Sequence, residues 1–496
     1  MQHFFSHSCH VAFLKTSHYR KLFAASLGLF AGTICFCQSQ APVTIQLSLQ
    51  TPGAAIAADF VGLSFEMQRV LPDTNGDHFF SAKNHALIAT FKTLGVKNLR
   101  VGGNTADRPT LPPPDESDVD SLFAFARAAD VKVIYTLRLR EGSLEAATQM
   151  ADYISRHYAK QLDSFAIGNE PNVFSKEYAP YLAEWKRYAA QIKAPSNAPA
   201  AKFCGPSTSP GHESWARNFA IDFGSRGPLA IIAQHDYPGG DARRATNAAA
   251  ARDRILSPTM DGHYARFAAN FVPAALSNGL PYRLEEANSF YDGGALDVSD
   301  TFAAALWALD YQWWWAEHGA SGINFHTGDR VAARDENKPC RYAIFWSGPG
   351  GYNVHPIGYA LKMFSLGSRG RLLSANIENT NQLNLAVYAA ETGKHEFCVT
   401  LINREHGNFG HAAEIVLDTG VAKARAQALS LSTLDNRATP DKAVALKTGV
   451  LLGGAGIQDD ASWDGKWIPL AQPEANGQFK LTLPAASAVL VRVSTR

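Results

Sequence analysis

The chain has 496 residues, which is long enough for a large hydrophobic core and more than one domain. With 46% hydrophobic and 18% charged residues, its composition is typical of a soluble globular protein. The net charge is +1, which excludes binding to a nucleic acid or a membrane surface through overall charge. Specificity must therefore come from a local site.

The N-terminal segment differs from the rest of the chain. Three basic residues, Lys15, Arg20 and Lys21, precede the apolar run LFAASLGLFAGTICFC (Leu22–Cys37). A basic flank before a short apolar run predicts a secretory signal peptide, which we assign to residues 1–41. We therefore expect a secreted or periplasmic protein with no stable membrane association after signal removal. An uncleaved membrane anchor is the alternative.

Residues 42–58 contain one predicted strand, and residues 59–366 repeat a strand-then-helix pattern. The run VTIQLSL (Val43–Leu49) alternates apolar and polar residues, and we expect it to join a later β-domain because it precedes the repeats. Eight short apolar runs then alternate with amphipathic stretches. They begin at Phe60, Val96, Val131, Leu162, Ala201, Leu229, Pro281 and Ser321.

This alternation predicts an α/β fold with a parallel sheet. Eight units over roughly 300 residues are the size of a (β/α)8 TIM barrel. A doubly wound open sheet is the alternative, but no GxGxxG motif follows the first strand to support it. Residues 367–496 instead show short alternating runs separated by Gly, Asn, Pro and Asp, which predicts a C-terminal antiparallel β-sandwich domain.

Acidic residues follow two of the predicted barrel strands. The string SFAIGNEP (Ser164–Pro171) ends the fourth strand with Asn169 and Glu170, and Glu285 and Glu286 lie on the seventh. Barrel enzymes carry their chemistry at the carboxyl ends of the strands, and two carboxylates facing one cavity are what glycoside hydrolysis requires. An amide beside the acid would hold a sugar hydroxyl. The alternative is that the acid after strand four only caps the following helix.

Four longer strings resemble glycoside hydrolase family 79, the β-glucuronidase and heparanase family of retaining barrel glycosidases. The strings are LRVGGNTAD (Leu99–Asp107), FAIGNEPNVF (Phe165–Phe174), QHDY (Gln234–Tyr237) and EEANSFYDGGALDVSDTFAAALWALD (Glu285–Asp310). The resemblance extends from about Val43 to the C-terminus. The Asn-Glu-Pro triplet is shared widely, whereas the strand-seven string is much more specific.

The resemblance implies a role for each matching residue. Glu170 would be the general acid/base and Glu286 the nucleophile. Glu285 is the rival nucleophile, because consecutive strand residues point to opposite faces and only one of the two can face the sugar. Tyr237 matches the family position whose hydroxyl hydrogen-bonds the nucleophile. Alternatively, the Tyr237 ring only packs at the barrel rim.

Recognition of a uronic acid requires donors for its carboxylate. The resemblance points to Tyr291 and Gly293 just after strand seven, and to a tyrosine from the long loop Thr327–His355. Tyr342 is the first choice in that loop and Tyr352 the second. For these tyrosines the alternative is surface packing.

Other polar strand-end residues are candidate sugar ligands. Glu66, Asn104 and Asp107 could bind sugar hydroxyls, or else cap a loop or sit at the rim. No metal or cofactor is implied, because the reaction needs only an acid, a nucleophile and water. The three cysteines outside the signal segment, Cys204, Cys340 and Cys398, predict neither a disulfide framework nor a metal site.

The sequence therefore predicts a retaining exo-β-D-glucuronidase acting on a glucuronic-acid-containing glycoside or polysaccharide, with its two carboxyl groups about 5 Å apart. One alternative is an endo-acting heparanase- or hyaluronidase-like enzyme, for which the arginine cluster after strand six could bind sulfates. That cluster consists of Arg243, Arg244, Arg252 and Arg254. The other alternative is a non-catalytic carbohydrate-binding protein on the same fold.

Overall fold

The computed structural model describes residues 41–50, 52–329, 339–408, 410–434, 439–471 and 477–495. The predicted signal peptide lies outside this part of the chain, apart from its last residue. No helix in the described ranges combines the length and apolar character needed to cross a membrane.

The barrel consists of eight parallel strands that close on themselves. Counting Val43–Ser48 as β1, the barrel strands are β2 (Val61–Glu66), β3 (Asn98–Gly102), β4 (Lys132–Leu137), β5 (Leu162–Ile167), β6 (Phe203–Thr208), β7 (Leu229–Asp236), β8 (Tyr282–Ala287) and β9 (Ile323–His326). Closure occurs between β2 and β9, where Val61 pairs with Ile323. Each of the eight predicted apolar runs overlaps one of these strands, which confirms the predicted barrel.

Helices surround the barrel and present apolar faces to it. They are α1 (His85–Leu94), α2 (Glu116–Ala129), α3 (Leu144–Tyr158), α4 (Tyr178–Ile192), α5 (Glu213–Phe223), α6 (Ala248–Leu256), α7 (Thr259–Ala269), α8 (Val272–Ser277), α9 (Phe302–Glu317), α10 (Pro356–Gly367) and, in the second domain, α11 (Pro440–Val444). In α3, for example, Ala147, Ala151 and Ile154 are buried at helical spacing, as expected for an amphipathic helix.

Helix α9 differs because it is buried on all sides from Phe302 to Ala316. Its outer face is covered by the second domain, where Trp313 stacks on Tyr388 with ring centroids 5.7 Å apart. Tyr388 and Arg404 both donate hydrogen bonds to the buried carboxylate of Asp310, at 2.8 and 2.7 Å. These buried hydrogen bonds join the barrel to the second domain.

The second domain is a ten-stranded sheet in the order β17-β16-β20-β14-β13-β12-β1-β15-β19, with β18 beside β16. Besides the hairpin β10 (Phe345–Gly348) and β11 (Gly351–Val354), the remaining strands are β12 (Arg371–Ile377), β13 (Leu385–Gly393), β14 (Glu396–Asn403), β15 (Ala413–Asp418), β16 (Arg425–Thr433), β17 (Val450–Leu452), β18 (Ile468–Pro469), β19 (Gln478–Leu483) and β20 (Ser487–Ser494). Ile45 of β1 shares a core with Val399 of β14 and Val491 of β20, so the sheet curls over one core as a sandwich does.

Strand β1 joins the two halves of this sheet. It runs antiparallel to β12, with Ile45 opposite Ile377, and parallel to β15, with Val43 opposite Ile415. The two layers of the expected sandwich are therefore one continuous curled sheet, because a strand from the start of the chain is inserted between them.

Candidate active site

A tight turn at the end of β5 carries Glu170. The buried strand ends at Ile167, and Gly168 and Glu170 then adopt left-handed backbone conformations with φ of 81° and 45°. Such a conformation is unfavourable for a glutamate and needs support from its surroundings. The amide of Glu170 donates to the Ser207 carbonyl at 2.9 Å, which ties the turn to β6.

Asp107 supplies further support for this turn. Its carboxylate accepts hydrogen bonds from the amides of Asn169 (2.6 Å), Leu139 (2.7 Å) and Arg140 (2.9 Å), and the residue is only 6% exposed. Asp107 therefore holds the backbone beside Glu170 and does not line the cavity, contrary to its predicted role as a sugar ligand. A carboxylate with three amide donors has little capacity left for a sugar hydroxyl.

Glu286 lies opposite Glu170 and is held by two donors. The Tyr237 hydroxyl donates to its Oε1 at 2.8 Å, and the Arg100 guanidinium donates to its Oε2. Arg100 is fully buried and also donates to Asn169 Oδ1 at 2.6 Å and to Ser64 Oγ at 3.1 Å. One arginine thus connects the predicted nucleophile to the amide next to the predicted acid/base.

Glu285 is not among the described residues that line the cavity, although Glu285 and Glu286 both approach the His235 ring, at 3.6 and 3.9 Å. Glu285 is completely buried, and its Oε2 is 3.4 Å from Cys204 Sγ inside the barrel. The structure therefore places Glu286, and not Glu285, where a bound sugar could be reached.

The charges around Glu286 determine its ionisation. Burial by itself would raise the pKa of Glu286. The positive charges of His326, His235 and Arg100, together with the Tyr237 hydrogen bond, outweigh burial and hold this pKa well below its usual range. Glu286 is therefore ionised at neutral pH, as a nucleophile must be.

The same cluster affects the two histidines in the opposite direction. Burial would lower the pKa of His235, but the carboxylates of Glu286, Glu170 and Glu285 raise it to about 9. The pKa of His326 is also raised, because Glu286 and Glu66 outweigh its burial. The His235 ring is therefore an imidazolium ion at neutral pH, and the pKa of His326 moves in the same direction.

Glu170, His235 and Glu286 converge on one point, with a carboxylate oxygen or ring nitrogen of each within 4.8 Å of the others. His235 Nδ1 is 3.1 Å from Glu170 Oε1 and 3.9 Å from Glu286 Oε1. Three such groups resemble a metal-ligand set, but both Glu286 oxygens already accept hydrogen bonds, from Tyr237 and Arg100. Two carboxylates in one cavity are also the arrangement of an acid and a nucleophile.

These residues line a cavity of about 640 Å³ at the carboxyl ends of the barrel strands. This volume is typical of a site for a small ligand. Eight of the candidate catalytic and sugar-binding residues named from the sequence line it. They are Glu66, Asn104, Glu170, Tyr237, Glu286, Tyr291, Gly293 and Tyr342. The cavity therefore brings together the predicted acid/base, nucleophile and uronate ligands, while Asn169 lies behind it, bonded to Arg100.

Tyr352 is elsewhere, contrary to the second choice for the loop tyrosine. Hairpin β10–β11 carries it toward α1, where its hydroxyl accepts a hydrogen bond from Asn84 Nδ2 at 2.8 Å. Its ring packs against Phe79 and Phe345. Tyr352 therefore has the packing role that was its alternative.

Three of the four arginines considered for sulfate binding donate hydrogen bonds to other groups of the protein. Arg243 forms two hydrogen bonds to the Asp241 carboxylate, each 2.9 Å. Arg252 donates to the Asp297 carbonyl and Arg254 to the Pro238 carbonyl. Of the cluster, Arg243 alone lines the cavity among the described residues, which weakens the case for a sulfated polymer.

Sequence reasoning gave no role to Arg100 and His235. A buried arginine in an otherwise apolar strand is a usable signal, because a buried charge requires a partner of opposite sign. Glu66 does line the cavity, with Oε2 accepting from the Thr105 amide (2.8 Å) and hydroxyl (2.7 Å).

No family model matches the chain. A β-glucuronidase from Aspergillus niger is 40% identical to it over 53 residues, which is 11% of this chain and about a tenth (10%) of that protein's length. A 4-O-α-L-rhamnosyl-β-D-glucuronidase from Fusarium oxysporum 12S has a similar structure, with a TM-score of 0.68, 18% identity, and coverage of 90% of this chain and 99% of that one.

A family 51 arabinofuranosidase from Xanthomonas axonopodis pv. citri is similar as well, with a TM-score of 0.66, 15% identity, and coverage of 91% of this chain and 100% of that one. At these identities the similarity shows the fold alone. It confirms a TIM barrel with a C-terminal β-domain of the kind found in glycoside hydrolases, and it does not place the chain in family 79.

Proposed function

We propose that this protein is a retaining exo-β-D-glucuronidase that releases terminal glucuronic acid from glycosides. The observation that carries the proposal is the pair of carboxylates at the ends of β5 and β8, with Glu170 and Glu286 oxygens within 4.8 Å of each other in one cavity. Retaining glycosidases have carboxyl groups about 5–5.5 Å apart, whereas inverting enzymes need about 6.5–9.5 Å to admit a water molecule.

In the proposed double displacement, Glu286 attacks the anomeric carbon while Glu170 protonates the departing oxygen. Water then attacks the glycosyl-enzyme, with Glu170 accepting its proton and Glu286 leaving. Tyr237 and Arg100 hold the two Glu286 oxygens, which keeps the nucleophile ionised and directed into the cavity.

The uronate specificity is supported by donors on the β8–β9 side of the cavity. Tyr291 and Tyr342 contribute hydroxyl groups, and the rings of both lie 6.2 Å from that of Tyr237. The amide of Gly293 belongs to the same wall and has no hydrogen-bond partner within the described part of the chain. These donors would bind the sugar carboxylate without a directly paired cation.

The rim of the cavity favours exo action. Arg69 and Asp329 form an ion pair of 3.3 Å, and both line the cavity. We take this ion pair as a barrier on one side of the cavity, which would suit a terminal sugar better than a continuous polymer. The names of the Fusarium and Aspergillus proteins point to the same sugar, since both are glucuronidases.

The test is hydrolysis of p-nitrophenyl β-D-glucuronide beside the matching glucoside, galactoside and xyloside. We expect release from the glucuronide alone, and ¹H NMR should show the β-anomer of glucuronic acid as the first product. Glu170→Gln and Glu286→Gln should each lower kcat by at least about 100-fold, as expected for loss of an acid or nucleophile.

Glu213→Gln is the matched control, since this buried carboxylate accepts from the Gly211 amide outside the cavity. It should retain wild-type rates. Release from a neutral glycoside would overturn the uronate assignment and leave the two carboxylates in place. An α-anomer as first product, or full activity in both Gln variants, would refute the mechanism.

A further inference from the structure

One buried acid in the barrel has no part in the mechanism above. Glu285 is 0% exposed, and its Oε1 has no hydrogen-bond partner among the described residues. An unpaired buried carboxylate is costly, so its presence requires a compensating cation nearby. The group that faces this oxygen is Nε2 of His235, at 3.6 Å.

His235 connects this acid to the predicted acid/base. The ring is fully buried, and its Nε2 likewise has no hydrogen-bond partner in the described part of the chain. Its other nitrogen, Nδ1, is 3.1 Å from Glu170 Oε1. The three side chains form a line from the barrel interior to the cavity, with the imidazole between two carboxylates.

We propose that Glu285 is a positioning residue that keeps His235 protonated, so that the imidazolium holds and orients Glu170 through its Nδ1–H. This inference rests on the proposed role of Glu170 as the acid/base. Glu285 does not touch the sugar, and its effect is transmitted by the ring of His235.

The groups facing His235 support a cationic ring. Carboxylates approach it from the β5 turn (Glu170) and from β8 (Glu285 and Glu286), and the guanidinium of Arg100 on β3 opposes them. From β6, the thiol of Cys204 contacts Glu285. Three carboxylates and one cation around the ring favour the imidazolium form of His235. Removal of Glu285 leaves the buried ring with one carboxylate fewer to offset the cost of burying its charge.

An imidazolium at this position has two consequences for catalysis. It donates to Glu170 in a defined direction, which reduces the number of orientations of the acid. It also makes that orientation depend on pH, because the ring can lose the proton that it donates. Loss of the charge on Glu285 should therefore change both the rate and its pH dependence.

The experiment compares wild type, Glu285→Gln and Glu285→Asp, with Glu213→Gln as the control for loss of a buried carboxylate elsewhere. The ring nitrogens of His235 are followed by ¹⁵N NMR of histidine-labelled protein from pH 5 to 10, with His235→Gln used to assign the signal. The pH profile of kcat/KM on p-nitrophenyl β-D-glucuronide is measured in parallel.

We expect the wild-type ring to remain protonated at pH 7 and the ring in Glu285→Gln to lose its proton at least about one pH unit lower. The alkaline limb of kcat/KM should move to lower pH in Glu285→Gln, because the imidazolium that orients Glu170 is lost at lower pH, with Glu285→Asp restoring it in part. The Glu213→Gln profile should match that of the wild type.

A neutral His235 in the wild type at pH 7 would overturn the proposal, and this spectrum is informative even if Glu285→Gln does not fold. Unchanged ring titration and an unchanged alkaline limb in Glu285→Gln would also overturn it. If no glycoside is hydrolysed but the ring titration still depends on Glu285, the proposed function fails while the Glu285–His235 coupling stands.

Discussion

The Arg100–Glu286 pair allows a quantitative prediction, because both groups are buried and each is the other's partner. In Arg100→Met the guanidinium and its hydrogen bonds to Glu286, Asn169 and Ser64 are lost together. Leaving a buried charge without its partner costs about 3–5 kcal/mol of folding free energy. Glu286→Met should cost a similar amount, since it leaves Arg100 as the uncompensated charge.

In the double variant both charges are gone, and the main remaining cost is the unsatisfied Asn169 oxygen, about 1–3 kcal/mol. The coupling energy of the cycle should therefore be at least about 3 kcal/mol. Urea unfolding followed by tryptophan fluorescence gives the change in unfolding free energy for each of the three variants, and circular dichroism checks that each unfolds in a single transition. Additive effects within about 1 kcal/mol would show that the two charges do not depend on each other, and would refute the reasoning.

Three further predictions follow from the same cluster. Tyr237→Phe removes a hydrogen bond to a charged oxygen, so steady-state kinetics on the glucuronide should show a fall in kcat/KM of about 10- to 100-fold. Wild-type values in this variant would show that the Tyr237 hydrogen bond has no part in catalysis. Tyr342→Phe should raise KM for the glucuronide, whereas Tyr352→Phe, outside the cavity, should leave it unchanged; equal effects would contradict the placement of these tyrosines. Folding raises the pKa of His235 from an ordinary 6.5 to about 9. Protonation of this ring therefore stabilises the folded protein by roughly 3 kcal/mol below about pH 6.5, and this contribution is lost as the pH rises through 9. Urea midpoints between pH 6 and 10 should therefore fall more steeply in the wild type than in His235→Gln, and parallel curves would disprove the shift.

Local pattern was sufficient to predict the barrel and the position of its acids. Short apolar runs alternating with amphipathic stretches admit few topologies, and β2 to β9 lie where these runs predicted them. Because parallel strands end at the same edge, polar residues at the strand ends predicted one shared cavity. Eight of the candidate catalytic and sugar-binding residues, including Glu170 and Glu286, line it.

The roles of individual side chains depended on contacts that the sequence could not reveal. Asp107 and Tyr352 carried plausible binding chemistry, but their partners are backbone amides and Asn84. The continuity of the second sheet also escaped prediction, since it depends on β1 lying between β12 and β15.

The sequence by itself thus determined the strand-helix alternation, the barrel and the two acids at its strand ends. The tertiary structure alone decided that Glu286 faces the cavity and that Arg100, 186 residues away in the chain, neutralises it. The physical reason is the distance along the chain over which each effect acts. Alternation and propensity act over a few residues, whereas barrel closure and register set which distant charges meet in a buried, poorly screened interior.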